Sequence, residues 1–120
     1  MKLGGSPLLD MAESFLMSPD LFHCLLSGEK ANEYSNASTT RFLSPRTGAW
    51  ATSLFDRFGL PTHILGRIAP PGARLGAVRS SVAQTTGLHN VEVVLPGTHD
   101  TASAVMAVPA ASRPGEPPDW

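Results

Sequence analysis

Charged residues are scarce in this sequence. They make up 16% of its 120 residues, whereas an average soluble domain has about 25%. We therefore expect that the chain hides one face against something, or that residues which should cover this face are missing. Nine Lys and Arg stand against ten Asp and Glu, which gives a formal net charge of -1. This balance argues against a nucleic-acid partner and against binding to an anionic membrane surface.

Cysteine and long apolar runs are lacking as well. The single cysteine, Cys24, excludes an internal disulfide framework and a cysteine-rich metal site. No apolar run approaches the ~20 residues of a membrane span, and Asp10 and Glu13 interrupt the stretch that a secretory signal would need. We therefore expect a soluble, cytoplasmic chain without a membrane partner. Its length suits one modest domain or part of a larger one.

Several catalytic and binding motifs are also absent. The sequence contains neither Gly-x-x-x-x-Gly-Lys-Ser/Thr nor Gly-x-Gly-x-x-Gly, so it lacks a recognisable loop for binding phosphate. It has no Gly-x-Ser-x-Gly elbow for a nucleophilic serine. Its four histidines do not have the spacing of metal ligands, which argues against a metal site built from protein ligands alone.

Apolar spacing and breaker residues predict a mixed α/β chain in which helices dominate. Serine–proline pairs at Ser6 and Ser18 predict capped helix starts, and Ser81 with Gln84 has the form of a capping box. Residues 30–40 are polar and predict a turn or an irregular segment. Helices are predicted over residues 8–16, 18–27, 50–58, 61–68, 81–86 and 101–108, and short strands over residues 41–43, 74–78 and 91–95.

The most informative local pattern is a strand, a turn and a helix at residues 91–104. A short β-branched strand ends in Pro-Gly, polar residues follow, and a helix of small residues begins. Open α/β sheets bind ligands beyond the carboxyl ends of their strands in this way. By position alone, Asp100 or Thr98 could equally be a helix cap, and His99 could be a polar residue on the turn surface.

Two blocks of the sequence together resemble the sugar-binding domain of the FGGY family of carbohydrate kinases. The first comprises residues 17–23, 26–30, 32–40 and 45–50, with Asn-Glu-Tyr-Ser-Asn-Ala-Ser-Thr-Thr at residues 32–40. The second is Gly-Thr-His-Asp-Thr-Ala-Ser-Ala-Val at residues 97–105. With both blocks in register, the sequence is most similar to the rhamnulokinase branch.

The resemblance implies an α/β fold, as part of the sugar-binding domain of an actin-like ATPase (ribonuclease H-like) fold. In this family a ketose in the cleft between two domains receives the γ-phosphoryl group of ATP with Mg²⁺. The family's catalytic base falls on Asp100, and its sugar-binding positions match His99, Asp100 and Thr101. The implied substrate is L-rhamnulose, and residues that bind the nucleotide are not expected within these 120.

The resemblance also implies how the chain is organised. Residues 1–108 are expected to be a central fragment of the sugar-binding domain, and residues 109–120 a proline-rich linker toward an ATP-binding domain. We expect no significant kinase activity from such a fragment alone, and we expect residues 36–40 to be scaffolding with local turn hydrogen bonds. Two alternatives stay open: a non-catalytic remnant that binds sugar or another chain, and a kinase for another ketose or polyol.

Overall fold

A computed structural model describes residues 7–109 and 115–117 of the chain. Along these residues six short helices are interspersed with four short strands, so the mixed α/β class with dominant helices is confirmed. In this part of the chain no helix is both long enough and apolar enough to cross a membrane. In chain order the elements are α1 (Pro7–Met11), α2 (Ser18–Ser27), β1 (Asn32–Glu33), α3 (Tyr34–Thr39), α4 (Thr52–Phe58), β2 (Ile68–Ala69), β3 (Arg74–Ala77), α5 (Ser80–Thr86), β4 (Glu92–Val94) and α6 (Asp100–Met106).

The four strands form two separate pairs. β1 and β2 run parallel, with Glu33 opposite Ala69. β3 and β4 run antiparallel, and their register shifts between Arg74 and Gly76. Gly76 has a φ of +110°, a backbone conformation that a residue with a Cβ atom rarely adopts. The glycine therefore allows the bulge in this pair.

One apolar core joins the two strand pairs. Beyond β4 the ladder continues, because the Leu95 N–H donates to the Ala73 carbonyl at 2.9 Å and the Leu95 carbonyl accepts from the Gly72 N–H at 2.7 Å. The fully buried Leu95 therefore anchors the chain immediately before the turn at residues 96–99. The buried members of the core are Ala31, Ala69, Leu75, Val93 and Leu95.

The predicted glycine stops and two of the strands are confirmed. Gly28, Gly59 and Gly87 follow α2, α4 and α5 with φ values of +87°, +67° and +75°. Glycine is favoured there because the left-handed conformation is strained for other residues. The predicted strands at residues 74–78 and 91–95 correspond to β3 and β4.

Long-range pairing overrides two helix predictions. The helix predicted over residues 61–68 is wrong, since the chain forms a turn, a bridge and then β2 there. Leu65 pairs in parallel with Phe15, and the Phe15 N–H donates to the Ile64 carbonyl at 2.8 Å. The same pairing holds residue 15 in extended backbone, so the helix predicted over residues 8–16 ends at Met11.

Three other local predictions differ from the structure. Residues 30–40 form β1 and α3 where an irregular segment was expected, and residues 41–43 form only a bridge between Leu43 and Trp50. The predicted serine caps are wrong for α2 and α5, because Met17 and Arg79 occupy the N-cap positions without side-chain cap bonds. Ser6 and most of the predicted linker at residues 109–120 lie outside the described residues.

One side of α2 is apolar and exposed. Its large side chains are between 41% and 66% exposed, although apolar residues at this helical spacing ordinarily face a core. We call this surface the α2 apolar face, and its members are Leu21, Phe22, Leu25 and Leu26. It is a surface of the kind that the low charge content predicts.

Replacement of Leu95 by alanine should destabilise the chain strongly. The side chain is fully buried, and large-to-small changes in a core cost about 2–5 kcal/mol. Urea unfolding followed by circular dichroism measures the loss. Val94→Ala is the matched control, because Val94 directly precedes Leu95 at the end of β4 and its side chain is 45% exposed. Equal losses for the two variants would contradict the core described above.

Candidate functional site

The predicted site residues lie at the start of α6, shortly after the end of β4. His99 occupies the N-cap position of α6, and Asp100 and Thr101 are its first two residues. The preceding Leu95 is fully buried, so the turn leaves the core and brings these side chains to the surface. The structure thus places a strand, an irregular connection at residues 95–99 and a helix in the order that the sequence predicts; we keep the word turn for this connection.

The Asp100 carboxylate faces solvent. Its side chain is 98% exposed, and Oδ1 accepts hydrogen bonds from the Thr101 N–H at 2.6 Å and from the Thr101 hydroxyl at 3.2 Å. The His99 ring lies nearby, with Nδ1 3.6 Å from the same oxygen. Within the described residues Oδ2 accepts no hydrogen bond, so this oxygen is open to a ligand.

Neither Asp100 nor Thr98, the two residues that the sequence suggests as helix caps, is the N-cap of α6. The N-cap residue of α6 is His99, whose side chain makes no cap hydrogen bond. Asp100 is already inside the helix and bonds its direct neighbour, while the Thr98 hydroxyl donates to a distant carboxylate. The reading of these residues as ordinary helix caps is therefore wrong.

A buried carboxylate, Glu33, holds the turn in place. Its Oε2 accepts from the Thr98 N–H at 3.0 Å and from the Thr98 hydroxyl at 2.9 Å. The same carboxylate caps α3 by accepting from the Ser35 N–H at 2.9 Å and the Asn36 N–H at 3.1 Å. The Ser35 hydroxyl also donates to it. One side chain thus ties the start of α3 to the turn before α6.

The Ser35 hydroxyl extends this connection by one residue. While it donates to Glu33, it accepts from the His99 N–H at 3.3 Å. A hydroxyl can donate once and accept as well, so both bonds form together. The backbone of residues 98 and 99 is therefore fixed from one side by Glu33 and Ser35.

Two further buried polar side chains position Glu33. Asp20 and Asn32 are both fully buried. Asp20 accepts from the Glu33 N–H at 3.0 Å and, more weakly, from the Asn32 side-chain amide at 3.4 Å. That amide also donates to the Phe15 carbonyl at 3.1 Å. The cluster therefore connects α2, β1 and the Phe15 bridge.

The three carboxylates have different electrostatic surroundings. Burial raises the pKa of Asp20 above its ordinary value of 3.8, against the effect of its hydrogen bonds. Burial would also raise the pKa of Glu33, but the hydrogen bonds from Ser35 and Thr98 outweigh it and lower this pKa below 4.5. The Thr101 N–H and hydroxyl lower the pKa of Asp100 below 3.8. Glu33 and Asp100 are therefore ionised at neutral pH.

Hydroxyl groups along α3 bond locally, as the sequence predicts for residues 36–40. Ser38 and Thr39 donate to the Ser35 and Asn36 carbonyls at 2.6 and 2.7 Å, and Thr40 donates to the Ala37 carbonyl at 2.7 Å. These bonds are confined to α3 and its C-cap. They support the expected scaffolding role, but within a helix and not within an irregular segment.

Gly97 allows α6 to approach the turn closely. A Cβ atom at this position would lie 3.0 Å from the Ser103 hydroxyl oxygen. That hydroxyl donates to the Gly97 carbonyl at 2.8 Å. A side chain at residue 97 would therefore push the helix away from the turn that carries Asp100.

Glu33 is the residue that sequence reasoning missed. It lies in a polar stretch, and glutamate is almost never fully buried unless it is paired. Its position directly after Asn32, within the block that resembles the family, was the available signal. The partner that explains its burial, Thr98, is 65 positions away in sequence, and no local pattern reveals such a contact.

The ATP and Mg²⁺ that the resemblance implies have no evident site in the described residues. Across residues 7–109 and 115–117, no group of three or more His, Cys, Asp or Glu side chains could hold a metal ion. Mg²⁺ in kinases is usually held by one or two carboxylates together with the phosphates of the nucleotide, so these residues form no metal site made of protein ligands alone.

Sequence comparison relates the chain to carbohydrate kinases. Residues 7–107 match the N-terminal domain of the FGGY family of carbohydrate kinases. A rhamnulokinase of Halalkalibacterium halodurans is 45% identical over 98 residues, which are 82% of this chain and 21% of that protein. A rhamnulokinase of Oceanobacillus iheyensis is 39% identical over 109 residues, 91% of this chain and 23% of that protein. The chain thus spans about a fifth of the length of these curated relatives.

Structural comparison agrees on the fold. A ligand-bound xylulose kinase from Lactobacillus acidophilus superimposes with a TM-score of 0.65 at 19% identity, over 71% of this chain and 18% of that one. A gluconate kinase from the same organism gives a TM-score of 0.60 at 19% identity, over 64% of this chain and 16% of that one. Together these neighbours confirm the predicted fold, that of the FGGY sugar kinases.

Glu33 and Asp20 should affect stability with opposite dependence on pH. A carboxyl whose pKa is lowered by folding stabilises the folded state above its unfolded pKa, and this contribution is lost as the pH falls through the folded pKa. The difference in unfolding free energy between the chain and Glu33→Gln should therefore grow as the pH rises from 3 through 4.5 (Glu33's ordinary value) and then level off.

The matched comparison is Asp20→Asn. Burial raises the pKa of Asp20, so its contribution to stability is lost as the pH rises. The difference in unfolding free energy between the chain and this variant should therefore shrink as the pH rises through and above 3.8 (the ordinary value for Asp20). Urea unfolding at a series of pH values measures both differences. Parallel curves for the two variants would contradict the electrostatic assignments.

Proposed function

The chain belongs to the FGGY family of carbohydrate kinases, and from this premise we propose that it is the segment of a sugar kinase that carries the catalytic base, Asp100. The observation that supports this most is the state of the carboxylate. It is ionised and almost fully exposed, with one oxygen held by Thr101 and the other open. We propose that residues 1–108 belong to the sugar-binding domain and that residues 109–120 lead toward an ATP-binding domain.

Asp100 would act as a general base on a sugar hydroxyl. The hydroxyl oxygen bonds to the γ-phosphorus, its O–H proton passes to Asp100 Oδ2, and the bond to the bridging oxygen of the ADP leaving group breaks. Phosphoryl transfer has a loose transition state, so the contribution expected from this segment is mainly to orient the hydroxyl and to accept its proton late. A low pKa is compatible with this role because the base must be ionised beforehand.

His99 and Thr101 would position the sugar on either side of Asp100. The His99 side chain is one-third exposed, and its ring can bond a neighbouring hydroxyl. The Thr101 hydroxyl donates to Asp100, yet its oxygen can still accept a hydrogen bond from the sugar. Fixing the reacting hydroxyl in this way makes the transfer effectively unimolecular.

L-Rhamnulose is the proposed substrate, phosphorylated at the expense of ATP with Mg²⁺. Its support is the name of two relatives that are 45% and 39% identical to the chain. Another ketose or a polyol is the alternative within the same family, because segments outside this chain contribute to the choice of sugar. A panel of ketoses and polyols offered to the active enzyme distinguishes these substrates.

Replacement of Asp100 by asparagine should abolish most of the catalysis. The test uses a hybrid enzyme, in which residues 7–107 of this chain replace the matching stretch of the Halalkalibacterium halodurans rhamnulokinase. General bases contribute about 10²–10⁴-fold to rate, so kcat for L-rhamnulose should fall by this factor in Asp100→Asn, with a much smaller change in KM. The isolated 120-residue chain should show no significant turnover.

Asp56→Asn is the matched control for this substitution. Asp56 is an exposed aspartate of α4, so its replacement removes the same charge away from the turn. The hybrid enzyme should tolerate this change without loss of kcat. Equal rates for Asp100→Asn and the unsubstituted hybrid would remove Asp100 from the mechanism.

A non-catalytic interaction module is the second candidate function, and the α2 apolar face favours it. If the chain pairs through this face, it should form a soluble dimer that unfolds cooperatively, and Phe22→Ser should shift it to monomer in sedimentation equilibrium. Phe22 is 66% exposed, so its loss should leave the core intact. Met11→Ser, which changes another exposed apolar residue, is the control. A monomeric or aggregating chain would argue against this candidate.

A further inference from the structure

We propose that Glu33 is a positioning residue for the reaction of Asp100, acting through Thr98 and Ser35. This inference rests on the proposed function of Asp100. Glu33 does not reach the sugar itself, because its side chain is fully buried. It acts by fixing the backbone from which Asp100 projects.

Glu33 makes more contacts than a helix cap requires. Capping α3 uses the Ser35 and Asn36 N–H groups alone. The two bonds from Thr98, at 3.0 and 2.9 Å, lie outside that cap and join the carboxylate to a segment 65 positions away. A carboxylate that served only α3 would leave the Thr98 N–H and hydroxyl without this acceptor.

The contacts from Glu33 and Ser35 end at His99, the residue directly before the proposed base. Thr98 is held by Glu33, His99 is held through the Ser35 hydroxyl at 3.3 Å, and Asp100 follows. In the described part of the chain, the Asp100 carboxylate contacts only Thr101 and the nearby His99 ring. The direction of its carboxylate therefore depends on the backbone at residues 98 and 99. A misplacement of about 1 Å can reduce the rate of catalysis about 100-fold.

The chemistry of the cluster requires an acceptor-only group. The five bonds to Glu33 all come from donors, namely the N–H and hydroxyl of Ser35, the N–H of Asn36, and the N–H and hydroxyl of Thr98. Four of these bonds end on Oε2, and only the bond from the Ser35 N–H ends on Oε1. A glutamine can keep its oxygen at the Oε2 position, but it sets its NH₂ group against the Ser35 N–H and removes the charge that strengthens the bonds from Thr98. Glu33→Gln should therefore weaken the hold on the turn while keeping the size of the side chain.

Amide hydrogen exchange in the 120-residue chain tests the positioning directly. In Glu33→Gln the amides of Thr98 and His99 should lose protection, whereas the Leu95 amide, which donates to Ala73, should keep it. Loss of protection at all three amides would indicate general destabilisation and would overturn the proposal. Unchanged protection at residues 98 and 99 would overturn it as well.

Kinetics of the hybrid enzyme test the effect on catalysis. Thr98→Val removes the hydroxyl donor to Glu33 and should lower kcat about tenfold to hundredfold with little change in KM. Thr98→Ser restores the hydroxyl and should restore kcat to within about twofold of the unsubstituted hybrid. Thr85→Val is the matched control, because the Thr85 hydroxyl bonds only the Ser81 carbonyl within α5 among the described residues.

The Asp100→Asn background separates positioning from stability. If Glu33 acts through Asp100, then adding Glu33→Gln to Asp100→Asn should lower kcat by less than about twofold, since residues that act as a unit are not additive. A full additional loss would overturn the proposal. A hybrid enzyme that is active but insensitive to Thr98→Val would also overturn it, whereas an active hybrid unaffected by Asp100→Asn would instead contradict the proposed function.

Discussion

The buried carboxylate of Glu33 is the interaction on which the candidate site depends. Burial of a charge is costly unless hydrogen bonds replace the lost water, and here backbone and hydroxyl donors from α3 and from Thr98 do so. The hydrogen bonds outweigh the burial, so the pKa of Glu33 is lowered. The fold thus keeps a negative charge inside by surrounding it with donors, and these donors belong to the two segments that must be joined.

This arrangement compensates for the short elements of the chain. α3 has six residues and α6 has seven, and isolated helices shorter than about 12–15 residues are marginal in water. Their ends are instead fixed by contacts of high sequence separation. Leu95 anchors the strand side of the turn in the apolar core, and Glu33 anchors the turn itself. The position of Asp100 therefore comes from tertiary contacts more than from the helix that it begins.

The sequence predicted those features of the structure that depend on neighbouring residues, and it missed those that depend on distant contacts. Gly28, Gly59 and Gly87 were predicted correctly because a left-handed backbone conformation is a property of the residue itself. The position of Asp100 at a strand–turn–helix junction was predicted for the same reason, since each element has its own pattern. The helix at residues 61–68 was wrong because Leu65 pairs with Phe15. Residues 30–40 were misread because the buried side chains of Asn32 and Glu33 bond distant partners. The family resemblance marked that block as important, but it did not single out Glu33.

The two carboxylates of the site have opposite surroundings, and this difference separates their roles. Glu33 is enclosed by donors, so a proton added to it would displace hydrogen bonds that the turn needs, and it is unsuited to proton transfer. Asp100 has one oxygen held by Thr101 and the other directed to solvent, so it can accept a proton without disturbing the fold. A general base on a flexible surface turn would lose its orientation, and a buried one would not reach the sugar. With the proposed base at the surface and the Glu33 carboxylate buried, the turn combines access to solvent with a backbone of fixed direction.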